Sequence, residues 1–152
     1  MIYTGSYNNC LKERDIKLVS ISGDRGKRIK FTGEYYSKLA PKRDFWLKWH
    51  NNFLGRSEIE NNRFYISEYM IQVLSKLDSE KVYTDLDNSI LLCYEESSKF
   101  CHRHIVASWL EYELGIIVPE VRIISGKMSY LERPKYIKEI YEQEKYLIRK
   151  YR

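Results

Sequence analysis

The chain has 152 residues, enough for one domain with a sizeable core, and 43% of them are apolar. That fraction excludes a disordered chain, and no apolar run approaches the roughly 18 residues of a membrane span. A net charge of +5, from 26 Lys and Arg against 21 Asp and Glu, permits a phosphate-bearing partner without requiring one.

The N-terminus, MIYTGSYNNC, has no basic region followed by a long apolar one and does not read as a signal peptide. Three cysteines without a secretion signal read as reduced thiols in a cytoplasmic protein. Fourteen tyrosines could stack on bases, but in a chain rich in Asn, Ile, Lys and Tyr they equally fit compositional bias.

In chain order, Met1–Tyr3 is a short strand and TGSYNN, which contains Thr4 and Ser6, has loop chemistry. Residues 9–14 are expected to form one or two helical turns. IKLVSIS, Ile16 to Ser22, alternates and carries β-branched residues, so it reads as a second strand ending in Ser20 and Ser22. GDRGKRIKFTG follows as a loop with Arg25, Lys27, Arg28 and Lys30. Pro41 opens a helix that aligns Phe45, Trp46, Trp49 and Phe53, and Gly55 closes it. Ser57 and Glu60 fit a capping box, and the helix behind them buries Ile59, Ile66, Met70, Val73, Leu74 and Leu77.

A short helix spans Ser79 to Leu86. Ser89–Tyr94 is a continuous apolar run, the pattern of a strand buried on both faces. Residues 100–114 form a helix with Ile105, Val106, Trp109, Leu110 and Leu114 on one side. GIIVPEVRI reads as the last strand, and Pro134 starts a final amphipathic helix. Strands alternating with helices predict a single α/β domain: a small, mostly parallel sheet flanked by helices, with a C-terminal amphipathic helix. Ligands of such sheets bind at the carboxyl ends of the strands. Here those ends carry the polar loops TGSY, SGDRGKR and YEESSKFCHR.

In the last of these loops, Cys101 and His102 begin the core-facing stripe of a helix, Arg103 lies on its flank, and His104 faces outward with Ser108 and Glu111. A helix N-terminus attracts anions, Arg103 could hold a phosphate in bidentate fashion, and the same field favours a Cys101 thiolate. Alternatively, Cys101 is a small packing residue and His102 a satisfied polar group; spacing leaves both readings standing. No metal is expected, because His102 and His104 diverge by about 200° on a helix and paired CxxC spacing is missing. A phosphatase loop does not fit either, since Arg103 follows Cys101 by only two residues with no glycine between. Burial opposes the thiolate, and Cys101 is expected to be mostly buried and chemically quiet.

The stretch LLCYEESSKFCHRHIVASWL resembles the signature of domain-of-unknown-function family 488, in which an apolar strand ends in Cys and an acid, and Cys-His-Arg opens a helix. IYTGSY, KLVSIS, YYSKLAPKRDF and LSKLDSEKVYTDL are similar to the branch with Ser-Ile-Ser after the second strand. The resemblance covers residues 1–122, which would form the family-like domain, with 123–152 as an extension packed on it. It implies shared site roles for Cys93, Glu95, Cys101, His102 and Arg103, and for Tyr3, Thr4, Ser20 and Ser22. SISGDRGKR stands where an Asp-x-Arg is common in the family, with Asp24 and Arg25 as the available substitutes.

The functional expectation is a phosphate-bearing ligand, a nucleotide or a nucleic acid, at the strand ends. Arg25, Arg103, Thr4, Ser6, Ser20 and Ser22 would bind it, and Tyr3, Tyr7 or Tyr94 would stack on a base. Glu95 would act as acid or base in a hydrolytic or N-glycosidic step, beside Cys101 and His102. The alternatives are a non-enzymatic nucleic-acid or protein-binding module, and thiol chemistry at Cys101 with Cys93 as partner. No cofactor and no membrane partner are expected.

Overall fold

The computed structural model describes residues 1–11 and 15–152, so part of the helical turns expected at 9–14 lies outside the described residues. Among the described residues, six strands form one sheet: β1 (Ile2–Ser6), β2 (Lys17–Ser20), β3 (Glu34–Tyr35), β4 (Ser89–Cys93), β5 (Glu120–Ile124) and β6 (Lys127–Leu131). Their order is β3-β2-β4-β1-β5-β6, parallel throughout except for the β5–β6 hairpin. The fold is therefore α/β, a mostly parallel sheet flanked by helices. Every residue of β4 is buried, the consequence of a central strand covered on both faces.

Among the described residues, seven α-helices cover the sheet: α1 (Tyr7–Cys10), α2 (Arg43–Asn51), α3 (Glu58–Gln72), α4 (Ser79–Leu86), α5 (His102–Leu114), α6 (Lys135–Glu144) and α7 (Tyr146–Lys150). Residues from α2 to α7 share one core with Ile2, Val19, Ile21 and Leu91. The opposite face is thinner: Tyr7 and Cys10 of α1 pack on Ile90, Leu92 and Val121, with Phe31 and Tyr94 alongside. Gly5 makes this packing possible, since a Cβ there would lie 2.6 Å from Cys10 Sγ. The chain thus leaves β1 over one face through α1 and leaves neighbouring β4 over the other through α5, so the two connections diverge at the carboxyl ends of these strands.

Local chemistry explains most boundaries. Ser57 Oγ accepts the Glu60 amide at the start of α3, and Pro134 immediately precedes α6 without a side-chain capping bond. Gly115, at φ 64°, ends α5 in the left-handed conformation.

Several expectations are corrected. β1 runs on to Ser6, so Thr4 and Ser6 are strand residues rather than loop. The helix after Pro41 ends at Asn52, whose own left-handed conformation caps it before Gly55, and Phe53 is 89% exposed. Ile59, at the start of α3, is also exposed. The sheet gains an edge at each side: β3 just after the basic segment, and β6 beyond the strand expected to be last. Ser125 and Gly126, at φ 52° and 76°, form the two-residue turn that pairs β6 back on β5. Among the described residues, no helix is long and apolar enough to cross a membrane.

The contrast between two aromatics is a direct test of this core. Trp109→Ala, in α5 and 1% exposed, should destabilise by about 3–5 kcal/mol in urea unfolding, whereas Phe53→Ala should change stability by no more than about 0.5 kcal/mol.

Candidate functional site

Three side-chain clusters meet around the carboxyl ends of β1, β2 and β4. The first joins β4 to α5. Cys101 is the residue before α5, extended at φ −158°, and it offers no side-chain cap to the helix. His102 Nε2 lies 2.7 Å from the Ile21 carbonyl just past β2. A carbonyl only accepts, so Nε2 carries the proton and Nδ1 turns to the sulfurs, 3.8 Å from Cys93 Sγ and 4.0 Å from Cys101 Sγ. The three donor atoms all lie within 4.8 Å of one another. The N-terminus of α5 therefore sits against the end of β2.

The two thiols behave as a pair. The hydrogen bond to Cys101, then burial, pushes the Cys93 thiol well above the ordinary range. Burial alone would raise Cys101 too, but the bond from Cys93, the Arg103 guanidinium and His102 outweigh it and hold Cys101 well below that range. Both residues are nearly covered, Cys93 at 7% and Cys101 at 4% exposure.

The second cluster is a buried ion pair. Arg103 donates from Nη2 (2.8 Å) and Nε (3.2 Å) to Glu120 Oε2, and neither side chain is exposed. Thr4 Oγ1 donates to Glu120 Oε1 and Ser97 Oγ to Oε2, each at 2.6 Å. Arg133 closes the group: its Nη1 donates to Thr4 Oγ1 at 2.8 Å and to His104 Nδ1 at 3.0 Å, and its Nη2 to the Val118 carbonyl. Burial works to raise Glu120, but the bonds and charge of Arg103 overcome it and hold the carboxyl at about 2. Burial, then the charge of Arg103, lowers His104 to about 4.

The third cluster lies on the α1 face. Tyr7 Oη is 2.6 Å from both Ser20 Oγ and Ser22 Oγ. Ser22 donates to Asp24 at 3.0 Å, and the same carboxylate accepts the Tyr94 hydroxyl at 2.5 Å and the amides of Gly26 and Arg28. Burial tends to raise Asp24, but these donors together lower it. The segment after β2 is thereby tied to the end of β4. Arg28 lies 4.1 Å over the Tyr94 ring and Arg25 4.4 Å over Tyr35.

The residues singled out in the sequence thus fall in different places. Cys93, Cys101 and His102 converge. Thr4 belongs with the ion pair, and Ser20 and Ser22 with Tyr7. Ser6 Oγ caps α1 through the Asn9 amide. Tyr3 packs on the α1 face, away from the strand ends. Tyr7 is 2% exposed and Arg28 covers one face of Tyr94. Glu95 is exposed and lines a cleft of about 380 Å³ with Trp49, Asn61, Lys99 and Phe100.

Two orientations are corrected. His104 does not face solvent; it is fully buried, because α5 is enclosed on all sides from His102 to Leu110. Arg103 is not on an open flank, and its guanidinium is committed to Glu120. Glu120 and Arg133 went unnoticed in the sequence. The available signal was a lone acid inside the apolar strand VPEVRI, since a buried acid needs a cationic partner.

A family model, DUF488-N3a, described as the active DUF488-N3 subclade, matches residues 6–114. No match is found among curated proteins or among solved structures.

The buried cluster sets an acid response. His104 falls from 6.5 to about 4 on folding, so between those values the unfolded chain takes up a proton that the folded chain refuses. Stability therefore drops as pH falls through that window. Glu120 falls from 4.5 to about 2, so its contribution, complete above 4.5, is lost as pH falls toward 2. His104→Asn keeps an acceptor for Arg133 and removes the titration. Its melting temperature should decline less than that of the parent between pH 6.5 and 4; equal slopes would show that His104 does not titrate as described.

Proposed function

This chain belongs to the DUF488 family, and from that premise we propose that it binds a phosphate-bearing ligand, a nucleotide or a nucleic-acid segment, over the carboxyl ends of β2 and β4. One observation carries this reading. Arg25, Lys27, Arg28 and Lys30 are all exposed on the segment after β2, and among the described residues no salt bridge engages any of them.

Asp24, the acid nearest to them in sequence, has both carboxylate oxygens taken by Tyr94, Ser22 and two backbone amides. The cations are left facing solvent on a backbone held by these bonds. Two guanidiniums already rest flat on tyrosine rings, which limits the side-chain entropy a phosphate contact must remove. Arg103 is buried and paired with Glu120, so in this reading the exposed loop makes the first contact with the phosphate. Glu95, exposed past the end of β4, is the carboxylate assigned as acid or base in a hydrolytic or N-glycosidic step.

A second reading, thiol chemistry, is favoured by the closeness of the Cys93 and Cys101 sulfurs. The coverage of both residues weighs against direct attack on a large substrate.

Binding of a fluorescent mononucleotide and of a labelled single-stranded oligonucleotide should be measured between about 50 and 200 mM salt. The reading expects affinity to fall with salt, and each of Arg25→Glu and Arg28→Glu to reduce the salt slope by about 1. Binding without turnover would assign a binding module. An absence of binding to either probe at the lowest salt would refute the proposal.

A further inference from the structure

We propose that Cys93, Cys101 and His102 form a three-ligand site for a zinc-type divalent cation. This inference stands independently of the phosphate-binding reading.

The first argument is geometric. Bonds of about 2.3 Å from zinc to sulfur and about 2.0–2.1 Å to nitrogen, at tetrahedral angles, place ligand atoms roughly 3.6–3.8 Å apart. The distances from His102 Nδ1 to the two sulfurs are 3.8 and 4.0 Å, and all three atoms lie within 4.8 Å. Adjustments of a few tenths of an ångström in the nitrogen–sulfur separations, and of no more than about 1 Å between the sulfurs, bring them onto one cation. The residues come from two anchored elements, the end of β4 and the start of α5.

The second argument is the orientation of the histidine. Its Nε2 proton is fixed on the Ile21 carbonyl, so Nδ1 presents its lone pair between the sulfurs. A backbone carbonyl holding the far nitrogen is the usual support of a metal-binding imidazole.

The third argument is charge. The two cysteines are 7% and 4% exposed, and an unbalanced ion there would be strongly disfavoured. Two thiolates and an uncharged imidazole neutralise a divalent cation. Sulfur ligands also select a thiophilic metal over magnesium or calcium. Three protein ligands leave a fourth position for water or a bound ligand, as in catalytic zinc sites.

His104 takes no part, being held on Arg133, so the divergence of the two histidines along the helix does not count against this site. The third cysteine, Cys10, lies on the other face of the sheet, where its thiol is 3.6 Å from the Val121 carbonyl.

The test uses the full chain, reduced and stripped with a chelator, then titrated with Co²⁺ alone. The proposal expects saturation at about one cobalt per chain, with thiolate-to-cobalt charge-transfer bands and the strong visible bands of a four-coordinate ion. Zn²⁺ should displace the cobalt and should protect two thiols of the three from a thiol reagent. Cys93→Ser, Cys101→Ser and His102→Gln should each weaken binding by about 10–100-fold or more, and Cys10→Ser should leave it unchanged. The wild-type spectrum and thiol count decide the matter even where a variant fails to fold. Cobalt uptake without thiolate bands would overturn the site. So would charge-transfer bands of unchanged intensity and unchanged cobalt affinity in folded Cys93→Ser, or a chain that isolates as a Cys93–Cys101 disulfide and takes up no metal after reduction.

Discussion

The structure depends on a bidentate ion pair buried out of reach of solvent. Arg103 and Glu120 are each fully covered, Thr4 and Ser97 donate further hydrogen bonds to the same carboxylate, and the Arg133 guanidinium stands 3.5 Å from it. Two charges removed from water are a net cost unless their geometry and remaining hydrogen bonds are good. Here the carboxylate accepts from the arginine and from two hydroxyls. The pair therefore specifies an arrangement: α5 cannot rotate or slide along the sheet without leaving a buried charge unmatched. Because Arg103 is the second residue of α5, that constraint acts one and two residues away, on His102 and Cys101.

Each side chain of the candidate site is consequently held by a different strand. His102 is fixed on the residue after β2, Cys93 ends β4, and Arg103 reaches the start of β5. The α1 face uses hydroxyl bonds and a single carboxylate instead. Tyr7 joins Ser20 to Ser22, and Asp24 ties the basic segment to Tyr94. The outcome is a buried thiol and imidazole group on one face of the strand ends and an exposed cationic rim on the other.

Much of the fold was legible because local patterns and tertiary environment agree. The all-apolar run at Ser89–Cys93 is a central strand, and Ser57 and Pro134 mark real helix starts. The site was less legible, for physical reasons. Helical periodicity presumes one dry face and one wet face, but α5 is enclosed on all sides, so polar His104 and Arg103 were assigned to a surface that does not exist. Their partners, Glu120 and Arg133, are 17 and 29 residues away in sequence, and no local pattern announces a contact at that range. Cys93, Cys101 and His102 were each visible as reactive types, yet their convergence depends on the arch from residue 94 to 100. β6 was missed although Ser125-Gly126 is a fair turn signal, because the strand beyond it is amphipathic and half exposed.

The central claim is that the Arg103–Glu120 pair fixes α5 against the sheet. A double-mutant cycle in denaturant unfolding, with Arg103→Met, Glu120→Gln and the combined variant, tests it most directly. The account predicts that each single change destabilises by about 3–5 kcal/mol, by stranding its partner's charge or weakening its match, and that the combined variant loses less than the sum by at least about 1 kcal/mol. Additivity of the two changes within about 0.5 kcal/mol would contradict it, showing that the two side chains act separately and that α5 is held by its apolar packing alone.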